Sequence, residues 1–535
     1  MNNMVTGKRR GLLIAPAFPP SFWSFSETTR LLGMKTLLQP LGLITVAALF
    51  PQEWDLRLVD LNVRPLTEAD WDWAEMVMVS AMLCQKDGML ALIKEAKERG
   101  KPVVVGGPYP TSVPDDALTA GCDFLIKGEG ETAIPLFLAA LAEGQTTGVF
   151  ESAEKPDMSD SPVPRFDLLD LTAYTSMSVQ TSRGCPFECE FCDVIALYGR
   201  KPRYKRPRQV IAELEAIYKL GWRGEMFVAD DNFIGNKEHA RAILNELIPW
   251  SMDRRQPFSF ITQTSVNLGQ DKSMIDLMTE ANFSHVFVGV ESPDEDVLAM
   301  THKRVNIVNP LVESLRNINR NGLTVIASFI IGFDGEKKGV GDRIKALVEA
   351  ASIPVVMINL LQAAPRTKLW DRLKKEGRLL HIPAGVTEDK INFIPTRPKA
   401  EIVSEYCDLW DCLYDPTRFY ERAHRSILEM RPTRRALGIK ERDFPVSETP
   451  VQIVPDKYGR NTLAVLRRIL WRRGVLAPYR HKFWKLVIDA YRRNPSRIRK
   501  FFILCATAEN MFPLRKVIRQ RIESNGRSNS REVHS

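Results

Sequence analysis

The chain has 535 residues, of which 44% are hydrophobic and 26% charged, with a formal net charge of +9. This composition is typical of a soluble globular protein, and the length favours two or three domains over a single core. Eight cysteines are too few for a disulfide framework, and no apolar run is long enough to cross a bilayer, so we expect a cytoplasmic protein in a reducing compartment.

The first 150 residues alternate short apolar runs with helical patterns. Nearly continuous Val, Ile and Leu are typical of strands that are buried on both faces of a parallel sheet. Five such runs predict strands at residues 11–18, 55–62, 75–83, 101–107 and 122–128. The pattern predicts a Rossmann-like α/β domain over residues 1–150, followed by a proline-containing linker over residues 151–172.

A second alternation of strands and helices begins near residue 176. Its six predicted strands are residues 176–182, 224–232, 258–268, 285–292, 325–333 and 355–363. Six βα units predict a partial (β/α)6 barrel over residues 173–400, and in such barrels the active site lies at the carboxyl ends of the strands. Residues 401–535 have a helical pattern, which predicts a C-terminal helical extension.

Three cysteines lie close together directly after the first predicted strand of the barrel. Cys185, Cys189 and Cys192 have the spacing C-x3-C-x2-C. Three thiolates on one loop can each bind one iron of a 4Fe–4S cluster, whereas clusters that only carry electrons usually have four cysteine ligands. The fourth iron would then be open to another molecule. A structural zinc site is the alternative, but it requires four ligands and the loop contains no histidine.

This motif, with the aromatic Phe191 before its third cysteine, resembles the signature of the radical S-adenosylmethionine (SAM) superfamily. The resemblance implies that the open iron binds SAM and that reductive cleavage of SAM supplies a 5′-deoxyadenosyl radical. It also implies contacts to SAM from the rim of the barrel, at Asp230, Asp231, Asn232, Thr264, Asn267, Glu291 and Gly332. Taken singly, each of these rim residues could equally be a capping or loop residue.

The N-terminal domain resembles the cobalamin-binding domain of cobalamin-dependent radical SAM enzymes, and the long C-terminal extension is similar to that of the group containing hopanoid C-2 methylase. The segments VVVGGPYPTSVP at 103–114 and GEGE at 128–131 carry the resemblance. It implies cobalamin contacts from Gly106, Gly107, Gly128 and Glu129, although an ordinary strand-to-helix turn also explains these glycines. The D-x-H-x-x-G motif that supplies a histidine to cobalt is missing, so cobalamin would bind without a histidine ligand.

Two further segments leave alternatives open. Three aromatic residues follow the first predicted strand: Phe22, Trp23 and Phe25. They could cover the corrin or an apolar substrate, or they could equally pack between domains. Residues 457–535 contain 20 Lys and Arg against 4 Asp and Glu, interleaved with aromatic residues. A solvated helical face is the commonest explanation of such a tail, and peripheral contact with the inner face of the membrane is the second. No RNA-binding motif supports contact with nucleic acid.

The resemblance implies a cobalamin-dependent radical SAM C-methyltransferase. Its cofactors would be a 4Fe–4S cluster, SAM and cobalamin, and its electron donor a carrier such as flavodoxin or ferredoxin. The substrate would be an apolar metabolite rather than a macromolecule, of the hopanoid, terpenoid or tetrapyrrole class, methylated at an unactivated carbon. An enzyme that cyclises or rearranges its substrate without net methylation is the alternative, and a cobalamin- or light-sensing protein with an idle barrel is another.

Overall fold

We describe a computed structural model that covers residues 9–380, 390–439, 453–458 and 462–532. Residues 9–151 form a parallel six-stranded sheet with helices on both faces. Its strands are β1 Arg10–Ala15, β2 Asp55–Asp60, β3 Met76–Ser80, β4 Val103–Gly106, β5 Phe124–Lys127 and β6 Gly148–Glu151. The strand order β2-β1-β3-β4-β5-β6 reverses between β1 and β3. Doubly wound sheets bind ligands beyond the carboxyl ends of the strands at such a reversal.

Both faces of this sheet are buried, as the continuous apolar runs predict. On β1, Leu12 and Ile14 belong to one hydrophobic core, whereas Leu13 and Ala15 belong to the core on the opposite face. The helices that supply these cores are α2 Leu41–Ala47, α3 Glu68–Trp73, α4 Lys86–Glu98, α5 Pro108–Ser112, α6 Pro114–Thr119 and α7 Gly130–Ala142. Helix α1 Ser26–Leu32 instead buries Leu31 in the core of the second sheet. The predicted Rossmann-like fold is confirmed, with β6 as a strand that the sequence patterns missed.

The second sheet is an open, parallel barrel of six strands within residues 176–360. Its order β7-β10-β11-β12-β13-β14 follows the chain, and the terminal strands β7 and β14 do not pair with each other. Two short antiparallel strands, β8 and β9, lie outside it. The strands are β7 Ser176–Val179, β8 Ser182–Arg183, β9 Arg203–Tyr204, β10 Gly224–Val228, β11 Phe258–Thr264, β12 Phe283–Glu291, β13 Thr324–Ile331 and β14 Val355–Leu360. The predicted partial barrel is therefore confirmed.

Helices follow the strands of the barrel along the chain. They are α8 Val194–Tyr198, α9 Pro207–Lys219, α10 Lys237–Asp253, α11 Lys272–Glu280, α12 Glu295–Met300, α13 Arg304–Ile307, α14 Leu311–Arg320, α15 Val340–Ala350 and α16 Lys368–Lys375. One predicted strand ends early: β11 stops at Thr264, and Asn267 lies in a 3-10 helix at Val266–Gln270. Asn267 is therefore a loop residue of the rim rather than a strand residue.

The C-terminal region is helical, as predicted, and packs onto the barrel. Its elements are α17 Lys399–Leu413, α18 Pro416–Glu429, α19 Thr462–Ile469, a π-helical segment at Leu470–Leu476, α20 Arg480–Arg493 and α21 Ile498–Glu532. Phe483, Phe501 and Met511 are buried in the same hydrophobic core as the barrel, so a fully solvated tail is wrong for these residues. None of the described helices is both long and apolar enough to span a bilayer. The domain boundaries drawn from the sequence stay predictions.

Candidate active site

The three cysteines lie on one loop, which the β8–β9 pair closes at its base. Ser182 pairs with Tyr204 and Arg183 pairs with Arg203, so the chain enters and leaves the loop at adjacent points. Cys189 is buried, Cys185 and Cys192 are half-buried, and burial raises the pKa of all three thiols. In the described ranges no three Cys, His, Asp or Glu side chains converge on one metal ion. This arrangement fits a 4Fe–4S cluster, because each thiolate would bind a different iron atom.

Asp230 and Asp231, which follow β10, hold the chain that leads into this loop. Asp230 is fully buried and accepts hydrogen bonds from the backbone N–H groups of Thr181 (2.7 Å) and Ser182 (3.0 Å) and from both of their hydroxyls. Asp231 accepts from the backbone N–H of Gly184 at 2.8 Å, and burial raises its pKa to about 6. These four hydrogen bonds hold the start of the loop, and the predicted contact of Asp230 with SAM stays a prediction.

Asn232, Thr264 and Asn267 meet at the carboxyl ends of β10 and β11. The side-chain amide of Asn232 donates to the Ser265 hydroxyl at 3.1 Å, and that hydroxyl donates to Oδ1 of Asn267 at 2.6 Å. The hydroxyl of Thr264 is buried without a hydrogen-bond partner among the described residues. A buried hydroxyl is costly to leave unpaired, so Thr264 is the rim residue that best fits a ligand absent from this structure.

Glu291 ends β12 in a left-handed conformation (φ 66°), where the ladder to β13 shifts register. Its carboxylate is buried and forms an ion pair of 2.9 Å with the ammonium of Lys303. Burial alone would lower the pKa of Lys303, but Glu291 and the nearby thiols of Cys189 and Cys192 raise it. Lys303 therefore places a positive charge beside the cysteine loop. Our sequence reasoning missed this lysine, because nothing local distinguishes it from a surface lysine.

Phe191 and Gly332 lie by a smaller cavity on the rim. Phe191 packs against Phe333, with ring centroids 5.5 Å apart, and both rings line a cavity of about 320 Å³. Gly332 adopts a φ of 107° that favours glycine and donates its N–H to the carboxylate of Glu336 at 3.2 Å. The aromatic residue before the third cysteine thus faces a space next to the loop.

A larger cavity of about 890 Å³ lies where the carboxyl ends of both sheets face each other. Gly106, Gly107, Gly128 and Glu129 all line it. The barrel contributes Gln180, Lys205, Phe227 and Gln263, and the C-terminal helices contribute Tyr406, Leu514, Ile518 and Arg521. All three regions of the chain therefore enclose one space.

The aromatic segment after β1 has two roles in this arrangement. Phe22 is fully buried and packs edge-on against Phe25, with centroids 5.6 Å apart. Trp23 lines the larger cavity and packs against Phe287 of β12, with centroids 5.2 Å apart. Packing between domains therefore accounts for Phe22, whereas Trp23 forms part of the cavity wall.

The GEGE segment links the N-terminal sheet to the cysteine loop through four charged side chains. Arg183, two residues before Cys185, donates to both oxygens of Glu131 (2.8 and 2.9 Å) and to Glu129 (2.8 Å). Arg203 donates to both oxygens of Glu129 at 2.6 and 2.9 Å. The Glu129 carboxylate is thus held by two arginines of the barrel, and its predicted contact with cobalamin stays a prediction. We call Glu129, Glu131, Arg183 and Arg203 the interdomain clamp.

The glycines predicted to approach cobalamin differ in what surrounds them. Gly107 has a φ of 102°, and a Cβ there would lie 2.6 Å from the hydroxyl of Ser80 on β3. Close packing within the sheet therefore requires glycine at this position. Gly128 has a φ of 82°, and a Cβ there would meet no atom within 4 Å. Gly128 is thus the one of these two that leaves open space beside the larger cavity.

Family models match three successive parts of the chain. The B12 binding domain matches residues 30–138, the radical SAM superfamily matches residues 179–348, and a domain of unknown function (DUF4070) matches residues 367–524. The solved structure of the cobalamin-dependent SAM radical enzyme OxsB, with aqua-cobalamin and SAM bound, has a TM-score of 0.59 at 15% identity. It covers 98% of this chain and 81% of that chain, which shows a shared fold.

Two relatives are similar over nearly the whole chain. An uncharacterized methyltransferase of Synechocystis sp. is 48% identical, over 96% of this chain and 93% of that protein. The hopanoid C-2 methylase of Rhodopseudomonas palustris is 33% identical, over 90% of this chain and 89% of that protein. The chain therefore belongs to the B12-binding radical SAM methyltransferase family, whose cofactors are a 4Fe–4S cluster, SAM and cobalamin.

Proposed function

We propose that this enzyme methylates an unactivated carbon of a large apolar substrate. The observation that supports the proposal is the larger cavity, which adjoins the predicted cobalamin edge of the first sheet and reaches the inner residues Phe227 and Gln263 of the barrel. An aliphatic carbon has no lone pair with which to attack a methyl group, so its methylation requires a radical. A shared cavity is what such a reaction needs, because substrate, corrin and SAM must meet in one water-excluded space.

The residues that would hold the cofactors follow from their placement. Cys185, Cys189 and Cys192 would bind the cluster, and the unpaired Thr264 hydroxyl and the cavity beside Phe191 would receive SAM. The edge at Gly106 and Gly128 would receive cobalamin. When bound, the cluster supplies the electron that cleaves SAM, and cobalamin supplies the methyl group. We expect the electron to come from a small carrier such as flavodoxin or ferredoxin.

This chain's own residues would shield and orient the reactants. Trp23, Phe227, Leu514 and Ile518 supply apolar wall from three regions of the chain, which excludes the water that would quench a carbon radical. The interdomain clamp holds the cobalamin edge against the cysteine loop through buried, charge-assisted hydrogen bonds. We assign to the interdomain clamp the role of fixing the distance between the two cofactor sites.

The substrate would belong to the hopanoid, terpenoid or tetrapyrrole class. Two considerations support this: the relative that is 33% identical is named as a hopanoid C-2 methylase, and the cavity of about 890 Å³ is within the range of sites for large ligands. Hopanoids and tetrapyrroles share a rigid, multi-ring apolar skeleton. These substrate classes can be distinguished by testing which lipid or pigment extract yields a methylated product.

The test uses enzyme purified without oxygen from cobalamin-fed cells. We expect about four irons per chain, lost in the variant Cys185→Ala/Cys189→Ala/Cys192→Ala and retained in the matched control Cys84→Ala. The reduced enzyme is then given methyl-deuterated SAM with hopanoid or tetrapyrrole extracts. Label in a carbon-bound methyl group, with 5′-deoxyadenosine and S-adenosylhomocysteine formed in equal amounts, supports the proposal.

Other outcomes identify the alternatives. Formation of 5′-deoxyadenosine with an altered but unlabelled product indicates a cyclase or rearrangement enzyme. Bound cobalamin without catalytic cleavage of SAM indicates a sensing protein. Either result would reject C-methylation while leaving the family assignment intact.

A further inference from the structure

One face of the C-terminal region exposes apolar and aromatic side chains that no described element covers. These residues lie on α19, the π-helical segment and α20. We call this surface the α19–α20 patch and define it by Leu463, Trp471, Leu476, Trp484, Ile488 and Tyr491. Leu463 is 73% exposed, Leu476 63% and Trp471 58%. A cluster of this kind on a folded protein marks an interaction site rather than chance exposure.

Helix α20 has two apolar faces, of which only one is buried against the core. Phe483, Val487 and Ala490 are buried against the core. Trp484, Ile488 and Tyr491 recur at helical spacing on the adjacent face and are exposed. A helix that served only to cover the barrel would carry polar residues at these positions, so the second apolar face requires another explanation.

The patch is held in a fixed shape. The indole N–H of Trp484 donates to the carbonyl of Gly474 at 2.9 Å. A Cβ on Gly474 would lie 2.8 Å from the same indole, so glycine allows α20 to pack this closely on the π-helical segment. Trp471 and Leu476 flank Gly474 in that segment. The aromatic side chains are therefore presented together without further rearrangement.

The surroundings of the patch are strongly basic. Residues 462–493 contain nine Lys and Arg against one acidic residue, Asp489. Arg472 and Arg473 both form ion pairs with the single carboxylate of Glu509, at 3.0 and 2.5 Å. A second group of cations forms no ion pair with any residue in the described ranges: Arg467, Arg480, Lys485 and Arg492. These unpaired charges border the apolar stripe of α20 and lie at the end of α19.

We propose that the α19–α20 patch docks the enzyme on an anionic lipid surface. Tryptophan and tyrosine are suited to the headgroup zone, leucine and isoleucine to the acyl boundary below it, and arginine and lysine to anionic phosphates. A second copy of the chain is less suited, because it would bring the same four unpaired cations against those of the first copy. The patch binds the surface of the bilayer without spanning it.

The patch is also attached to the wall of the larger cavity. Arg468 of α19 donates to the carbonyl of Leu31 in α1 at 2.9 Å. The segment before α1 lines the cavity through Phe18 and Trp23, both partly exposed. Lipid contact at the patch would therefore place a cavity-lining segment near the membrane. The docking proposal goes beyond the proposed function and does not depend on methyl transfer.

The test is co-sedimentation of the full chain with vesicles, which requires neither cofactors nor substrate. We expect binding to vesicles of phosphatidylglycerol and phosphatidylcholine, loss of binding at high salt, and little binding to phosphatidylcholine alone. The variants Trp471→Ser/Leu476→Ser and Arg480→Gln/Lys485→Gln/Arg492→Gln should each weaken binding at least about tenfold. All five positions are on the surface, so thermal unfolding of both variants should match the wild type.

Matched controls replace two exposed apolar residues by serine, or three exposed cations by glutamine, elsewhere on the surface. Val308→Ser/Ile394→Ser removes two residues that are 77% and 52% exposed, and Lys94→Gln/Lys374→Gln/Lys375→Gln removes three exposed cations. Both controls should bind as the wild type does. Wild-type protein that does not bind anionic vesicles, or patch variants that bind equally well, would overturn the proposal. Self-association abolished by Trp471→Ser/Leu476→Ser would instead assign the patch to a second copy of the chain.

Discussion

The interdomain clamp should contribute to stability through the pair Glu131 and Arg183. Both side chains are almost completely buried, and two parallel hydrogen bonds of 2.8 and 2.9 Å join them. Burial alone would raise the pKa of Glu131, but Arg183 lowers it from 4.5 to about 2. We expect Glu131→Gln to weaken the folded state, because it leaves the guanidinium with one carboxylate partner instead of two.

The size of the effect follows from the pKa of Glu131. A lowering of the pKa from 4.5 to about 2 corresponds to a contribution of about 3 kcal/mol to the free energy of unfolding at pH 7. This value agrees with the loss of about 3–5 kcal/mol of stability that is typical when one partner is removed from a buried ion pair. Since the pKa in the folded state is depressed, this contribution is present in full above pH 4.5 and is lost as the pH falls towards 2.

The assay is urea unfolding in a double-mutant cycle of Glu131→Gln, Arg183→Met and the double variant. We expect a coupling free energy of about 3 kcal/mol at pH 7. The difference between wild type and Glu131→Gln should begin to shrink below pH 4.5. A coupling free energy below about 1 kcal/mol, or a pH-independent difference, would refute the clamp as a stabilising contact.

Three further predictions test other parts of the site. Thr264→Val should leave the stability of the cofactor-free protein unchanged or raise it, because the hydroxyl is unpaired, while weakening SAM binding about tenfold by calorimetry. Lys303→Met should lower the free energy of unfolding by about 3 kcal/mol, because Glu291 becomes a buried, unpaired charge, and Lys303→Met/Glu291→Gln should recover most of the loss. Gly107→Ala should destabilise more than Gly128→Ala by thermal unfolding, because both positions have positive φ but only Gly107 also has a steric clash.

The folds of both sheets could be predicted because strands buried on both faces of a parallel sheet are apolar at successive positions. Runs such as KPVVVGG are apolar at successive positions, and each strand of this kind was found. The edge strand β6 was missed, since its four residues alternate between half-buried and exposed and resemble a loop. The early end of β11 was also missed, because apolar Val266 and Leu268 in the 3-10 helix continue the periodicity of the strand.

The site was predictable only where its chemistry is local in the sequence. The cysteine motif occupies eight residues, so its spacing alone predicts a shared loop. The clamp joins Glu131 to Arg183 across 52 positions, and that contact exists only after the two sheets dock. The sequence also predicted that Asp230 contacts a ligand, and the structure adds that its carboxylate accepts hydrogen bonds from the loop beside it. A carboxylate in a rim motif can accept hydrogen bonds from the protein or from a cofactor, and the sequence motif is the same in both cases. Only the three-dimensional structure distinguishes these two kinds of contact.

The C-terminal region shows why a basic composition is a poor guide to position in the fold. Lys500 is buried and donates to the carbonyls of Ser284 and Gly322. Phe501 and Met511 of the same helix are also buried, and Leu514 and Ile518 line the larger cavity. The residues predicted to hold the cluster and cobalamin all lie in the first two regions of the chain, whereas the C-terminal helices contribute to the cavity wall. Changes in that wall should therefore alter which apolar molecule fits, while the radical chemistry of the first two regions stays the same.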